Sequence, residues 1–148
     1  MLAFALEAGG LTERDTIANL FIAGNLWSSW LSVEKAIANT KAISVPVGSN
    51  LPLENIVRYL EDFGVTAIIG LPSFMLKLAE YAVAGKGRYD LKINKIFYGG
   101  EYVGTEMVKF FKSVFPGVDV RSGGYASADA GVIGFQCPVC VKGQHHLF

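Results

Sequence analysis

The sequence lacks the features that would mark a nucleic-acid-binding or membrane protein. Its 13 basic and 13 acidic side chains cancel, and no basic block or stripe is present, so the charge footprint of a nucleic-acid surface is missing. No apolar run approaches the roughly 18 residues that cross a bilayer. The apolar opening at 1–10 contains Glu7 and no basic segment, unlike a signal peptide. We expect no nucleic-acid partner and no membrane association.

Cysteine is also scarce. Both cysteines lie in the single unit Cys137-Pro-Val-Cys140, whereas a secreted disulfide framework spreads its cysteines along the chain, so the cytoplasm is favoured. Apolar residues, by contrast, are abundant: 51% of the 148 residues are hydrophobic, 12% are aromatic and only 18% are charged. Such a composition can bury a core and is not that of a disordered chain.

The apolar pattern predicts strands and helices in alternation. Short apolar runs typical of strands lie at 16–21, 41–47, 65–70, 93–98, 118–121 and 132–135. Helical spacing is found at about 25–39, 53–63, 72–84 and 105–115, and the opening ten residues are typical of a helix end. This order predicts an α/β fold with a largely parallel sheet and helices on both faces. In such sheets ligands bind at the carboxyl ends of the strands.

The loop Phe97-Tyr-Gly-Gly-Glu101 follows a predicted strand and precedes a helix. Gly99 and Gly100 would let a ligand lie against the backbone because neither carries a Cβ atom. The following helix N-terminus favours a negatively charged ligand. The simpler alternative is a tight strand-to-helix turn in which Glu101 complements the helix dipole.

A second small-residue loop, Gly124-Tyr-Ala-Ser-Ala-Asp-Ala-Gly131, also follows a predicted strand. Tyr125 stands between Gly124 and Ala126, whose small side chains would leave its ring accessible to a purine. The alternative is a core tyrosine whose hydroxyl group forms a hydrogen bond. Asp129 could hold Mg²⁺ against phosphate oxygens or could be a turn or cap aspartate. Together with the twin-glycine loop, these residues make a nucleotide site the leading hypothesis.

The two loops, their spacing and the strand–helix–strand order between them resemble the centre of adenylate-forming enzymes, specifically the phenylacetate–coenzyme A ligase-like branch. The segment at 20–27, Leu-Phe-Ile-Ala-Gly-Asn-Leu-Trp, resembles the segment that lines the acyl pocket in that branch. The turn at 8–15 resembles the G-x-x-x-G-D entry into that segment. The resemblance covers nearly the whole chain and makes Gly24 and Trp27 candidate substrate-pocket residues.

The resemblance implies ATP-dependent activation of a carboxylic acid, here an aromatic or similar one, to an acyl-adenylate with release of pyrophosphate. Transfer of the acyl group to coenzyme A usually follows. In this family the second loop reads Y-G-x-T/S-E, which implies that Tyr125 stacks on adenine and Asp129 coordinates Mg²⁺. The remaining nucleotide-binding residues that the resemblance implies are Tyr98, Gly99, Gly100, Glu101, Gly124 and Ala126.

The sequence departs from the family pattern in two ways. Ala128 occupies the hydroxyl position of the motif, so the usual phosphate contact is absent unless the neighbouring Ser127 supplies it, and Asp129 is one methylene shorter than the usual glutamate. The family's upstream phosphate loop, its ribose-binding aspartate and its C-terminal lysine domain are not found in the sequence. We therefore expect residues 1–148 to form a single partial domain that does not turn over by itself.

The cysteine unit and the pair His145-His146 offer donors at spacings that zinc tolerates. Adjacent residues in an extended segment point to opposite faces, so at most one histidine joins, and we assign Cys137, Cys140 and His145 as the candidate ligands. The alternatives are two reduced cysteines in a knuckle-like turn, or a redox motif, which the absence of a helix start disfavours.

Two functions of other classes compete with the ligase. The first is a non-catalytic small-molecule or zinc-binding domain that reuses the fold, which Ala128 favours. The second is a Rossmann-type oxidoreductase, which is disfavoured because no G-x-G-x-x-G follows a predicted strand.

Overall fold

The structure is a computed structural model that describes residues 1–85, 88–127, 129–140 and 144–148. Its helices are α1 Leu2–Ala8, α2 Ser28–Ile37, α3 Leu53–Asp62, α4 Pro72–Ala84 and α5 Thr105–Val114. Its strands are β1 Thr16–Asn19, β2 Ile43–Val45, β3 Ala67–Gly70, β4 Lys95–Tyr98, β5 Asp119–Ser122, β6 Tyr125–Ser127, β7 Gly131–Phe135 and β8 His146–Leu147. None of the helices in the described ranges combines the length and apolarity needed to cross a bilayer.

The first five strands form one parallel sheet in the order β2-β1-β3-β4-β5. Each strand is followed by a helix before the next strand begins, as parallel pairing requires. All four residues of the central strand β3 are buried, which is typical of a strand covered on both faces. The predicted α/β class is therefore confirmed.

Alternation along β3 divides the core into two layers. Ile68 packs with the buried residues of α3, α4 and α5 on one face of the sheet. Its neighbours Ala67 and Ile69 point the other way and pack with those of α1 and α2, as the period of two along a strand dictates. The helices thus cover both faces of the sheet.

A second, antiparallel sheet of three strands, β6-β7-β8, follows the parallel one. The sequence predicts β7 at 132–135, but it places 125–127 in a loop and assigns no strand at 146–147, where the structure has β6 and β8. Gln136 joins this sheet to the first: its side-chain oxygen accepts a 2.6 Å hydrogen bond from the Ser122 N–H at the end of β5. Gln136 is buried, so this joint is shielded from water.

Helix α2 begins at Ser28, three residues later than the sequence predicted. Asn25 and Leu26 have φ values of 51° and 60°, which place them in the left-handed region and exclude them from a right-handed helix. With Gly24 at φ 87°, three consecutive residues turn the chain after β1.

Candidate functional site

The two loops singled out in the sequence leave the sheet side by side. Strands β4 and β5 pair in parallel with Tyr98 opposite Ser122, and the Gly123 N–H donates a 2.8 Å hydrogen bond to the Tyr98 carbonyl. The twin-glycine loop and the Tyr125 loop therefore both start at the carboxyl edge of the parallel sheet. Neighbouring strand ends of this kind are where open α/β sheets place their ligands.

The two glycines of the first loop, Gly99 and Gly100, differ in their backbone angles and in the space around them. Gly100 has φ 79°, a backbone angle that favours glycine, whereas a Cβ atom there would lie 2.9 Å from Leu71 Cδ2, a contact that a movement of the Leu71 side chain would relieve. A Cβ atom at Gly99 would meet only the ring of Phe21, at 3.6 Å, which is ordinary contact. The Gly100 requirement comes from the fold itself, whereas Gly99 leaves space beside the backbone.

Glu101 binds a neighbouring helix. Its carboxylate oxygens accept hydrogen bonds from the N–H and the hydroxyl of Ser73, both at 2.8 Å. Ser73 lies in the first turn of α4, whose N-cap residue Leu71 makes no side-chain capping bond. Glu101 thus satisfies a free N–H of α4 from outside the helix. The sequence suggests that Glu101 complements the dipole of the helix that follows it, α5. In the structure Glu101 instead binds the first turn of α4, the helix that precedes it in the chain.

Tyr98 ends β4 and is half-buried. Burial raises the pKa of its phenol, and repulsion from a charged Tyr102 raises it further. Since the ordinary phenol pKa is already 10.0, the group is a neutral hydrogen-bond donor at physiological pH. The Tyr98 side chain packs against the hydrophobic cluster formed with α3, α4 and α5.

Tyr125 opens β6, where it pairs with Gly134 of β7. The residue is 54% exposed, so its ring is not sealed inside the hydrophobic core. The ring of His145 is its aromatic neighbour, with centroids 5.6 Å apart and a 45° tilt. The preceding Gly124 approaches α1, because a Cβ atom there would lie 3.2 Å from Leu2 Cδ1. Ala126, next on β6, is exposed.

Ser127 and Asp129 lie at the turn between β6 and β7. The Ser127 hydroxyl oxygen accepts a 3.1 Å hydrogen bond from the Ala130 N–H, so it stabilises the turn. Asp129 is exposed in the same turn, and it belongs to no group of three or more potential metal-binding side chains in the described part of the chain. Ala128, the departure from the family motif, lies outside the described residues.

The candidate pocket residues Gly24 and Trp27 follow β1, two strands from β4 in the sheet order. Trp27 precedes α2 and is 63% exposed. Phe21 connects this region with the twin-glycine loop, because its ring lies against Gly99. Along the chain, the candidate acid-pocket residues follow β1, and Gly99, Gly100 and Glu101 follow β4, whose last residue is Tyr98. The remaining candidates, from Gly124 to Asp129, follow β5, and Tyr125 to Ser127 form β6 of the second sheet.

A separate cluster forms beyond β7. Cys137 Sγ lies 3.6 Å from Cys140 Sγ and 3.2 Å from His146 Nε2, and both cysteines are free thiols. These are the only three such donors that converge within the described ranges, with all ligand atoms inside 4.8 Å. The hydrogen bond between Cys137 and His146 is the main cause that lowers the pKa of the Cys137 thiol to about 7.

The histidine of this cluster corrects the sequence assignment, which had chosen His145. His146 pairs with Phe135 across the β7–β8 ladder, so it stands near Cys137, and His145 turns its ring toward Tyr125 on the other side. The prediction that only one histidine could join agrees with this geometry. The choice between them depended on the β7–β8 register, which short sequence patterns do not encode.

No protein-family model matches the chain, and no curated protein matches its sequence. Solved structures do match. A long-chain-fatty-acid–CoA ligase from Archaeoglobus fulgidus has a TM-score of 0.74 at 16% identity, over 93% of this chain and 29% of that one. 2-Hydroxyisobutyryl-CoA ligase in the postadenylation state has a TM-score of 0.71 at 20% identity, over 86% and 27%. VinN in complex with L-aspartate has a TM-score of 0.68 at 17% identity, over 89% and 32%.

At these identities the likeness concerns the fold. The chain spans between 27% and 32% of the length of these three structures. The five-stranded parallel sheet with its flanking helices is arranged as in part of these larger proteins, which agrees with the resemblance found in the sequence. The chain therefore has the α/β fold that forms part of adenylate-forming enzymes.

Proposed function

We propose that this chain supplies part of the substrate site of an enzyme that activates a carboxylic acid with ATP and passes the acyl group to coenzyme A. The observation that carries the proposal is the shared edge of β4 and β5, where the open backbone at Gly99 and the exposed ring of Tyr125 leave adjacent strand ends. A protein of the same fold, 2-hydroxyisobutyryl-CoA ligase, has been solved in complex with 2-HIB-AMP and CoA.

The proposed reaction has two steps, formation of an acyl-adenylate and formation of a thioester. A substrate carboxylate oxygen bonds to the α-phosphorus of ATP, and the bond from that phosphorus to pyrophosphate breaks. The coenzyme A thiol then gives up its proton, its sulfur bonds to the acyl carbon, and AMP leaves with the electron pair of the cleaved C–O bond. Positioning and charge stabilisation are the protein's contribution to such steps.

The described residues suit the nucleotide half of this reaction. The half-exposed ring of Tyr125 offers a stacking surface for adenine, and Gly99 admits the ligand against the backbone. Glu101 acts by fixing α4 beside the loop, because both its oxygens are bound to Ser73.

Asp129 is the proposed protein ligand of Mg²⁺, which when bound neutralises phosphate charge. Its carboxylate is exposed in the β6–β7 turn, and a single carboxylate fits the way Mg²⁺ binds, with waters and substrate phosphates as its other ligands. Ser127 supports the turn that carries Asp129 through its bond to Ala130.

The acid is proposed to be aromatic, as in the phenylacetate-type branch. The support is Trp27, an exposed residue immediately before α2 in the segment that follows β1. An indole there would pack against a flat ring. Gly24, with its positive φ, shapes the turn that presents Trp27.

We further propose that residues 1–148 are a partial domain that does not turn over alone, since they match less than a third of the length of the ligases. A pyrophosphate-release assay with ATP and a panel of aromatic acids should show no turnover for this chain. Turnover that depends on both ATP and acid would contradict the partial-domain proposal while supporting the activity.

Nucleotide binding tests the function directly. Thermal unfolding should shift upward with ATP or AMP, because a ligand that binds only the folded state stabilises it, and NAD should give no shift. Absence of any shift with ATP, AMP and a non-hydrolysable acyl-adenylate analogue would overturn the proposal. Stabilisation by zinc alone would favour the alternative, a non-catalytic zinc-binding domain, which the Cys137–Cys140–His146 cluster supports.

A further inference from the structure

The cysteine–histidine cluster stands apart from the nucleotide loops but is connected to them. We propose that Cys137, Cys140 and His146 form a zinc site, and that the metal holds β8 in place so that His145 positions the ring of Tyr125. The metal-binding part is independent of the proposed function. Only the expected effect of the Tyr125 position on nucleotide binding rests on the proposed function.

The donor geometry fits a tetrahedral zinc ion. Zn–S distances of about 2.3 Å and Zn–N distances of about 2.0 Å with tetrahedral angles imply an S–S separation of roughly 3.8 Å and an S–N separation of roughly 3.5 Å. The corresponding distances are 3.6 Å between the two sulfurs and 3.2 Å from Cys137 Sγ to His146 Nε2. The third separation, between Cys140 Sγ and His146 Nε2, is at most 4.8 Å, so side-chain movements would bring all three donors to tetrahedral positions.

The chemistry of the donors selects the metal. Two thiolates and an imidazole are soft and borderline ligands, which zinc prefers and which Mg²⁺ and Ca²⁺ do not. Both cysteines are only partly buried and His146 is exposed, so an ion can reach them. Three protein ligands leave one position for water or another donor, as in known Cys₂His zinc sites.

Hydrogen bonds hold the turn from Cys137 to Cys140 in a conformation that suits metal binding. The Cys140 N–H donates to the Cys137 carbonyl at 3.0 Å, and the Cys137 N–H points at Cys140 Sγ at 3.4 Å. Arg121 of β5 donates from Nη1 to the same Cys137 carbonyl at 2.6 Å. These bonds orient the ligand backbone from outside, which is how outer-shell groups support metal sites, and they attach the site to the parallel sheet.

The link to Tyr125 passes through two adjacent residues. His146 faces the cysteines, and His145, directly before it, has its ring 5.6 Å from the ring of Tyr125. Strand β8 is only two residues long and, among the described strands, pairs with β7 alone. The Phe148 N–H extends this pairing with a 3.0 Å hydrogen bond to the Ile133 carbonyl, but small antiparallel units are marginal without further support. A metal bond to His146 would supply that support and fix His145 beside Tyr125.

The metal part is tested by metal content and cobalt spectroscopy. Protein purified without chelators should carry about one zinc per chain, and Co²⁺ replacement should give thiolate-to-cobalt charge-transfer absorption. His146→Asn and Cys140→Ser should reduce zinc to background, whereas His145→Asn, the matched control, should retain it. Wild-type protein that takes up neither zinc nor Co²⁺, or a zinc loss caused by His145→Asn instead of His146→Asn, would overturn the site.

The positioning part is tested by hydrogen exchange of the wild-type protein with zinc and after chelation, without nucleotide. Amides of 125–135 and 144–148 should exchange severalfold faster after zinc removal, and those of β1 and β3 should not change. Equal exchange in both states would overturn the positioning role. His145→Ala should retain zinc and weaken ATP binding severalfold, and an unchanged ATP affinity would contradict it. If the wild type binds zinc but no nucleotide, the proposed function alone fails.

Discussion

Lys95 Nζ lies 2.7 Å from one carboxylate oxygen of Asp15 and 2.9 Å from the other. The pair joins the turn before β1 to the start of β4, across the intervening strand β3. The Asp15 side chain is only 4% exposed and that of Lys95 is 23% exposed. Thr12 and Thr66 donate further hydrogen bonds to Asp15, so this carboxylate is fully satisfied at the amino edge of the sheet, opposite the candidate site.

The first prediction concerns removal of the cation from this pair. Lys95→Met should lower the free energy of unfolding by about 2 kcal/mol, because a buried carboxylate loses its counter-charge; the partial exposure of Lys95 keeps the loss below that of a fully buried pair. Urea unfolding at neutral pH measures it. The matched control is Lys92→Met, which breaks an exposed pair with Asp90 and should cost less than about 0.5 kcal/mol. Equal losses for the two variants would contradict the prediction.

The second prediction concerns the pH dependence of stability. Burial raises the pKa of Asp15, but the hydrogen bonds from Lys95, Thr12 and Thr66 together outweigh burial and leave it below the ordinary value of 3.8. The unfolded chain therefore takes up the proton at a higher pH than the folded protein does. The stability that Asp15 contributes is fully present above its unfolded pKa and is lost as the pH falls through the lower folded pKa.

Unfolding free energies of the wild type and of Asp15→Asn measure this effect. The difference between the two proteins should stay constant between about pH 7 and pH 5 and should shrink below about pH 4. Curves that run parallel down to about pH 3 would show that another group causes the acid sensitivity of the wild type.

Much of the parallel sheet was predictable because its signals are local. A strand buried on both faces reads as a continuous apolar run, and the run ending at Gly70 matches β3. Proline or glycine next to the helices marks several of their ends, as Pro72 does for α4. The short strands β6 and β8 carry no such signal, since their residues are exposed and do not alternate.

The candidate site also has features that were predictable from the sequence and features that were not. Loops that follow strands are visible in sequence, so the twin-glycine and Tyr125 loops were correctly expected at the same sheet edge. The partner of Glu101 and the choice of His146 over His145 depend on contacts between segments far apart along the chain. Such contacts are set by the packing of α4 and by the β7–β8 register, which residue spacing does not reveal.

The third prediction is that Glu101 stabilises α4 from outside the helix. Glu101→Ala removes the acceptor for the Ser73 N–H and hydroxyl, so stability should fall by about 1 kcal/mol, as for loss of a helix cap. Glu101→Gln keeps one acceptor oxygen, so its stability should lie between that of the wild type and that of Glu101→Ala. Glu106→Gln is the control, because its contact with Lys109 is exposed. A Glu101→Ala variant as stable as the wild type in urea would show that the bond to Ser73 contributes nothing.

The last prediction concerns the ring of Tyr125. If adenine stacks on it, Tyr125→Phe should bind ATP nearly as well as the wild type, because the stacking surface remains. Tyr125→Ala should lose about 1–3 kcal/mol of binding free energy, the usual contribution of a base on an aromatic ring. Titration calorimetry with ATP and AMP measures both affinities.

The matched control for this loss is Tyr59→Ala on α3. Tyr59 is 41% exposed, close to the exposure of Tyr125, and its ring neighbour is Phe63 of the same helical region, far along the chain from the strand-end loops. Its replacement should leave the ATP affinity unchanged. If Tyr59→Ala and Tyr125→Ala weaken binding equally, or if neither does, adenine does not stack on Tyr125, since only direct contact with the base makes the two rings differ.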